Sequence, residues 1–266
     1  MEAVSRFDFR PAAGCLIDSH CHLDAPELRA GVDAVVARAR AAGVGQLLLP
    51  AVTAGNFDDV LAMRERYGCW IAFGLHPIYL DRHLDEHLAL LDAALAAHAP
   101  VAVGEIGLDF YLPELDPARQ EALLVEQLKL ARKHGLPVVL HVRRSVDRVL
   151  KHLREQKVEC GIAHAFNGSE QQARAFIRQG FRLGFGGAMS YSGSRRIRQL
   201  AATLPLDSLV LETDAPDIRP EYAQDVPNEP AQLARFVEIL AGLRGLGAET
   251  LRPALHANTL KALALD

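Results

Sequence analysis

Short apolar runs recur along the chain, and a stretch with helical periodicity follows most of them. Runs of four to eight apolar residues bounded by glycine, proline and polar residues are typical of strands buried on both faces. Eight such runs lie near residues 16–22, 45–52, 70–76, 101–106, 137–142, 161–165, 181–187 and 209–214. The pattern therefore predicts eight strands that alternate with helices.

The clearest helix is predicted over Arg119–Lys133, where Leu124 and Leu128 lie on one apolar stripe. Gly135 and Pro137 follow this stretch and are expected to end the helix before the next strand begins. Weaker helical patterns cover Leu88–Ala97 and Gln171–Arg178.

Eight alternating strands and helices in 266 residues match the plan of the α/β class known as the TIM (β/α)8 barrel. The alternative is an open, doubly wound sheet, but such a sheet would gather its functional residues at one switch point. Since no linker, low-complexity segment or repeat interrupts the pattern, residues 1–266 are predicted to form a single barrel domain.

Side chains of the types that bind metals follow five of the eight runs. They are His20, His22, Glu105, His141, His164 and Asp214. In a barrel these positions converge at the carboxyl end of the strands, where catalytic groups lie. One histidine at a strand end is more often structural than a ligand, but six such positions together indicate a metal site.

The six donors fit two divalent ions better than one. The histidine pair of the first run and Asp214 can hold one ion, while His141 and His164 hold the second and Glu105 bridges them. Two divalent cations keep a net positive charge beside two carboxylates and a hydroxide, which favours an anionic ester such as a phosphodiester. Histidines favour zinc, whereas nuclease chemistry often uses magnesium or manganese.

Asp214 and Glu105 are the predicted catalytic carboxylates. Asp214 can accept the proton of the attacking water, although a helix N-cap before Pro216 is the structural alternative. His76 ends the third run and is predicted to contact substrate, with a turn histidine held by its neighbours as the alternative.

Arg143 shares a strand face with His141 and is predicted to reach a substrate phosphate, whereas Arg144 is expected to turn away. Further arginines after the seventh run are explained equally well by a phosphate-binding rim or by a solvated helix start. The glycines of residues 184–187 either expose N–H groups to a phosphate or permit close packing.

The composition excludes several other classes of protein. A net charge of −4 argues against a broad basic surface that coats nucleic acid, but allows nucleic acid as a substrate. Four widely spaced cysteines without a Cys-x-x-Cys pair favour a reducing compartment, and we expect a cytoplasmic protein. Neither a signal peptide nor a membrane span is evident, and no obligate protein partner is expected.

The motifs resemble those of the TatD family of metal-dependent hydrolases, within the wider amidohydrolase-like metal barrels. The resemblance rests on DSHCHLD (18–24), GLHP (74–77), GEIGLD (104–109), LHVR (140–143), HAFNG (164–168), ETDAP (212–216) and NEP (228–230). It implies a TIM barrel, the same six metal ligands and hydrolysis of DNA phosphodiesters. Asn167 departs from the serine more usual in this family, which implies altered substrate contacts.

We therefore expect a two-metal hydrolase of phosphate esters, of the deoxyribonuclease (exonuclease) type, acting on single-stranded DNA or DNA ends with a metal-activated hydroxide. An amidohydrolase or lactonase that acts on a carbon centre is the alternative enzyme, since such barrels use similar ligands. A metal-bearing scaffold without catalysis is the third hypothesis.

Overall fold

The computed structural model describes residues 8–266, which contain one sheet of eight parallel strands in the order β1 to β8. The strands are β1 (Leu16–Asp18), β2 (Val44–Pro50), β3 (Trp70–Phe73), β4 (Ala102–Asp109), β5 (Val138–Arg143), β6 (Gly161–Ala163), β7 (Phe181–Phe185) and β8 (Leu209–Leu211). The ten α-helices of this part of the chain are α1 (Pro26–Arg29), α2 (Val32–Ala41), α3 (Phe57–Tyr67), α4 (Glu86–His98), α5 (Pro117–His134), α6 (Val146–Gln156), α7 (Glu170–Arg178), α8 (Arg195–Thr203), α9 (Leu233–Arg244) and α10 (Ala248–Ala262).

The sheet curls so that its last strand approaches its first. The Ser19 N–H donates to the carbonyl of Leu211 at 3.1 Å, and Cys21 forms a parallel bridge with Ala215. With helices between consecutive strands, this arrangement is the TIM barrel that the sequence predicts.

Apolar side chains occupy both faces of the strands. In β2, Leu47 and Leu49 pack in the layer between sheet and helices, whereas Leu48 belongs to a separate buried cluster. Because side chains alternate along a strand, this second cluster fills the inside of the barrel. Leu263 and Leu265, after α10, join the same cluster and cover the amino end of the barrel.

The helices that the periodicity predicts are confirmed, with small shifts at their ends. Helix α5 starts after Asp116, whose side chain accepts a hydrogen bond from the Ala118 N–H, and it ends at Gly135 with φ of 62°. The patterns at Leu88–Ala97 and Gln171–Arg178 correspond to α4 and α7.

Most of the strands are shorter than predicted at their carboxyl ends. Strand β1 stops at Asp18 and β8 at Leu211, so His20, His22 and Asp214 lie beyond the regular ladder. Strand β4 contains a bulge, since Val103 and Ile106 pair with residues only two apart on β5. An extra residue re-aims the side chains around it, and Glu105 lies within this bulge.

In residues 8–266, no helix has both the length and the apolar composition to cross a bilayer. The four cysteines all lie in this region and form no disulfide, and Cys21 is fully buried.

Candidate metal centre

Backbone hydrogen bonds join the segments that follow β1 and β8. The Asp214 N–H donates to the His20 carbonyl at 2.8 Å, and the His22 N–H donates to the Ala215 carbonyl at 2.7 Å. The buried Asp18 carboxylate adds a cross-link, because it accepts from both the N–H (2.9 Å) and the hydroxyl (2.6 Å) of Thr213. Three candidate ligands are therefore fixed relative to one another by segments that lie outside the ladder.

Glu105 lies at the middle of the cluster, and its two oxygens face different histidines. Oε2 is 3.0 Å from His20 Nε2 and 3.7 Å from His22 Nε2. Oε1 is 3.2 Å from His141 Nδ1 and 3.7 Å from His164 Nε2. This division of the carboxylate matches the geometry of a ligand that bridges two cations.

Asp214 completes one side of the cluster. Its Oδ1 lies 3.7 Å from His20 Nε2, 3.8 Å from His22 Nε2 and 3.9 Å from His164 Nε2. Its φ of 57° lies in the left-handed region, which residues other than glycine adopt uncommonly. The helix N-cap alternative is wrong, since the next helical turn begins only at Pro230.

Two further carboxylates orient histidines from behind. Asp109 Oδ2 is 2.9 Å from His141 Nε2, and Glu212 Oε1 is 3.1 Å from His164 Nδ1. A carboxylate that accepts one ring N–H leaves the lone pair of the other nitrogen directed into the site, the usual arrangement around metal-bound histidines. Glycine at 184 makes room for Glu212, because a Cβ there would collide with its carboxylate. Close packing is therefore the role the structure gives Gly184.

The charges in the site are strongly coupled. Burial would raise the pKa of Glu105, but the surrounding histidines hold it well below its usual range. Burial also opposes protonation of His164, yet Asp214 and Glu212 raise its pKa to about 10. Burial raises the pKa of Asp214 to about 6. The carboxylates thus favour the protonated form of His164, whereas burial and the neighbouring His164 lower the pKa of His20 to about 4.

Divalent cations fit these residues. The Nε2 atoms of His20 and His22 face each other at 3.2 Å, a separation at which two ring nitrogens converge on a shared proton or a metal ion. Within 4.8 Å of one another, the ligand atoms form three overlapping groups of three residues. They are His20, His22 and Asp214; His20, Glu105 and His164; and His76, Glu105 and His141.

His76 lies inside this cluster rather than at its rim. Its Nδ1 accepts a hydrogen bond from the Ile78 N–H at 3.1 Å, and burial lowers the pKa of the ring to about 4. The neutral ring therefore carries its proton on Nε2, which lies 3.0 Å from Glu105 Oε1. In this state His76 is a hydrogen-bond donor that points into the site.

Arginines border the cluster on the side of β5. Arg143 is the last residue of β5, and its guanidinium lies 3.8 Å from the ring centroid of Tyr111. Arg144 does not turn away, and its guanidinium is 4.6 Å from the same centroid. The prediction for Arg144 was wrong because the residue has φ of 54°, which ends the alternation of the strand.

Asn167 lies on the same side of the site. Its side-chain oxygen accepts a hydrogen bond from Arg196 at 2.7 Å, so this departure from the family pattern positions an arginine at the start of α8. Both residues line a cleft that reaches His141, His164 and Asp214.

Comparison with known proteins agrees with this geometry. Residues 17–264 match the family model described as TatD related DNase. The chain belongs to the TatD family. It is 44% identical over 247 residues to Escherichia coli K-12 YjjV, an uncharacterized metal-dependent hydrolase, and the match covers 91% of this chain and 95% of that protein. It is thus a metal-dependent hydrolase of the TatD family.

Two further comparisons agree with the family assignment. A Cronobacter sakazakii protein named 3'-5' ssDNA/RNA exonuclease TatD is 36% identical over 237 residues, which is 86% of this chain and 90% of that protein. The crystal structure of E. coli YjjV superposes with a TM-score of 0.90 at 43% identity, covering 94% of this chain and 98% of that one.

Proposed function

We propose that the chain is a deoxyribonuclease that uses two divalent cations to hydrolyse phosphodiester bonds of single-stranded DNA or of DNA ends. The observation that carries the proposal is the central position of Glu105, with one oxygen toward each histidine group. The exonuclease name of the C. sakazakii relative supports nucleic acid as the substrate.

Each cation would have its own set of donors. His20, His22 and Asp214 would hold the first, and Glu105 would contribute one oxygen. His141 and His164 would hold the second with the other oxygen of Glu105. The ion is zinc, magnesium or manganese, since nitrogen donors suit the first and carboxylates the other two.

When bound, the two cations supply Lewis acidity that makes a water molecule nucleophilic at neutral pH and offsets charge on the phosphate. Asp214 would accept the proton of the attacking water, because its carboxylate lies beside the nitrogens of His20 and His164, which would hold the cations. His76 offers its Nε2 proton to a phosphate oxygen, and Glu105 holds that proton in place before substrate binds.

Arg143 binds a phosphate next to the scissile bond. Its guanidinium is half exposed and lies 3.8 Å from Asp109, the carboxylate that orients His141. The arginine is thereby fixed relative to a metal ligand, and its charge is available to an anionic substrate.

Reconstitution with single metals tests the proposal. The purified protein is stripped with a chelator and reloaded with zinc, magnesium or manganese in turn, and bound metal is counted by elemental analysis. A single-stranded DNA oligonucleotide, bis(4-nitrophenyl) phosphate and a cyclic amide are then assayed in parallel. We expect two ions per chain and hydrolysis of both phosphodiesters only after reloading.

The Glu105→Gln variant is the matched control, since it keeps the shape of the side chain while removing its charge. It should bind fewer ions and lose hydrolysis of both phosphodiesters. Turnover of the cyclic amide without cleavage of DNA would instead favour the amidohydrolase alternative, and tight metal binding with no turnover would favour a scaffold.

A further inference from the structure

Two clefts open onto the candidate metal centre from opposite sides. One, of about 900 Å³, runs past β5 and α8 and includes His141, His164 and Asp214 in its wall. The other, of about 580 Å³, runs past the segment that follows β3 and shares the same three residues. A DNA strand bound across the metal centre would therefore have one part in each cleft, in different surroundings.

The two clefts differ in charge. We call the larger cleft the arginine cleft. Apart from the candidate ligands, the charged side chains in its wall are one aspartate and four arginines. These are Asp147, Arg143, Arg144, Arg148 and Arg196. In the wall of the smaller cleft, the corresponding charged side chains are two arginines and four acidic residues, namely Arg29, Arg82, Asp24, Glu27, Asp59 and Asp217. A phosphate backbone would be attracted to the arginine cleft and repelled from the smaller one.

An exposed aromatic ring lies at the mouth of the arginine cleft. Tyr111 is 46% exposed, and the guanidinium groups of Arg143 and Arg144 lie against its ring. We call these three side chains the arginine–tyrosine stack. Planar guanidinium and aromatic groups are the surfaces on which unpaired bases stack in single-stranded nucleic acids.

The stack is also tied to the metal centre. The Tyr111 N–H donates to Asp109 Oδ1 at 2.9 Å, and the other oxygen of Asp109 accepts from His141. One buried carboxylate thus sets the position of the exposed ring relative to a candidate ligand. Such a link would hold a stacked base at a constant distance from the reacting phosphate.

We propose that the arginine–tyrosine stack binds a base of a single strand whose phosphates lie in the arginine cleft, so that the strand enters from this side. The inference rests on the nuclease function proposed above and specifies how the substrate is oriented. Tyr111 supplies stacking that does not depend on sequence, and the arginines supply the charge.

Kinetics on two substrates test this inference. We expect Tyr111→Ala in the metal-loaded enzyme to lower kcat/KM for a short single-stranded DNA by roughly 5- to 150-fold, the range that stacking of one base supplies. Hydrolysis of bis(4-nitrophenyl) phosphate, which has no base, should fall far less. Tyr111→Phe keeps the ring and should retain the parent activity on DNA.

Salt dependence separates stacking from charge. Arg144→Gln should make kcat/KM for DNA less sensitive to salt, with a logarithmic slope lower by about one for each phosphate that the variant no longer binds. Tyr111→Ala should leave that slope unchanged. Arg66→Gln is the matched control, since Arg66 lies over Tyr67 on α3 and borders neither cleft.

Two results would overturn the inference while the nuclease function stands. One is parental DNA cleavage by Tyr111→Ala, and the other is an equal loss on both substrates, which would mean that the ring acts only on the metal centre. A parent enzyme that hydrolyses the reporter but not DNA would refute the nuclease function, and the inference would fail with it.

Discussion

Inside the barrel, the same strand faces carry apolar side chains near the amino end, the lower layer, and candidate metal ligands near the carboxyl end, the upper layer. Ile162 is fully buried in the apolar cluster, and His164, two residues further along the chain, is a candidate ligand. The same step leads from Val139 to His141. Because side chains alternate along a strand, the two residues of each pair project to the same side. The first packs in the apolar core, and the second is a candidate metal ligand one layer further toward the carboxyl end.

The two layers differ in what their burial costs. The lower layer removes apolar surface from water, which stabilises the fold. The upper layer buries Glu105 and Glu212 among histidines, and burying charges is unfavourable unless each is paired. We therefore expect the lower layer to determine stability and the upper layer to determine activity. Substitutions in each layer test this expectation.

The largest effect is expected for Asp214→Asn. The amide cannot accept the proton of the attacking water, so kcat should fall by about 10²- to 10⁴-fold. The midpoint of thermal unfolding should stay near that of the parent, because the side chain belongs to the upper layer. Assays on a DNA oligonucleotide with the metal-loaded variant measure the decrease, and parental turnover would exclude Asp214 as the proton acceptor.

The counterpart in the lower layer is Ile162→Ala. Truncation of this buried side chain should lower the free energy of unfolding by about 2–5 kcal/mol, through reduced apolar burial and the cavity that remains. Urea unfolding followed by circular dichroism measures the change. The folded fraction should keep nearly the parental kcat. A large decrease of kcat at full folding would mean that the two layers are not separable.

A smaller effect is expected for Glu212→Gln, which alters the carboxylate behind His164. The amide can still contact the ring but carries no charge to orient its N–H, so metal affinity should fall by roughly 10- to 100-fold. Competition with a fluorescent chelator measures the metal affinity directly, independently of turnover. Unchanged metal affinity would limit Glu212 to a packing role beside Gly184.

The smallest effect is expected outside both layers, at Glu121 in the helical shell. Burial opposes ionisation there, but hydrogen bonds with Arg148 and His152 hold the pKa of Glu121 below its usual range. Because the folded pKa is the lower one, the ionised carboxylate stabilises the fold above the unfolded pKa. That contribution disappears as pH falls through the folded pKa.

Glu121→Gln should thus cost less than about 1 kcal/mol at neutral pH, and the difference from the parent should shrink below about pH 4. Urea unfolding at several pH values, with chelator present to remove metal effects, provides the comparison. A difference that grows in acid would contradict a lowered pKa in the folded state.

The sequence was sufficient for the strand order and for the positions where polar residues meet. Apolar runs that end in histidine or carboxylate place those groups at one end of a barrel, and the structure brings His20, Glu105 and His164 within reach of one ion. The alternation rule was less reliable beyond the ladder. His20 and His22 converge through segments joined to Ala215 rather than through a continued strand.

Other features depend on contacts between residues far apart in sequence. Asp109 and Glu212 lay within recognisable motifs, but only the fold brings them to His141 and His164. In the sequence, their role was indicated by their positions on strand faces that point into the barrel. The bulge that turns Glu105 inward and the left-handed Arg144 both break strand periodicity locally, and no pattern of apolar residues reports such breaks.

A single carboxylate between two histidine groups has a consequence for metal exchange. In the proposed centre, one side chain would contact both ions, since the two oxygens of Glu105 lie beside different histidines. Ions of similar size would then replace one another with the same residues as ligands. The acidity of the bound ion, and with it the rate of reaction, would then follow the supply of metals.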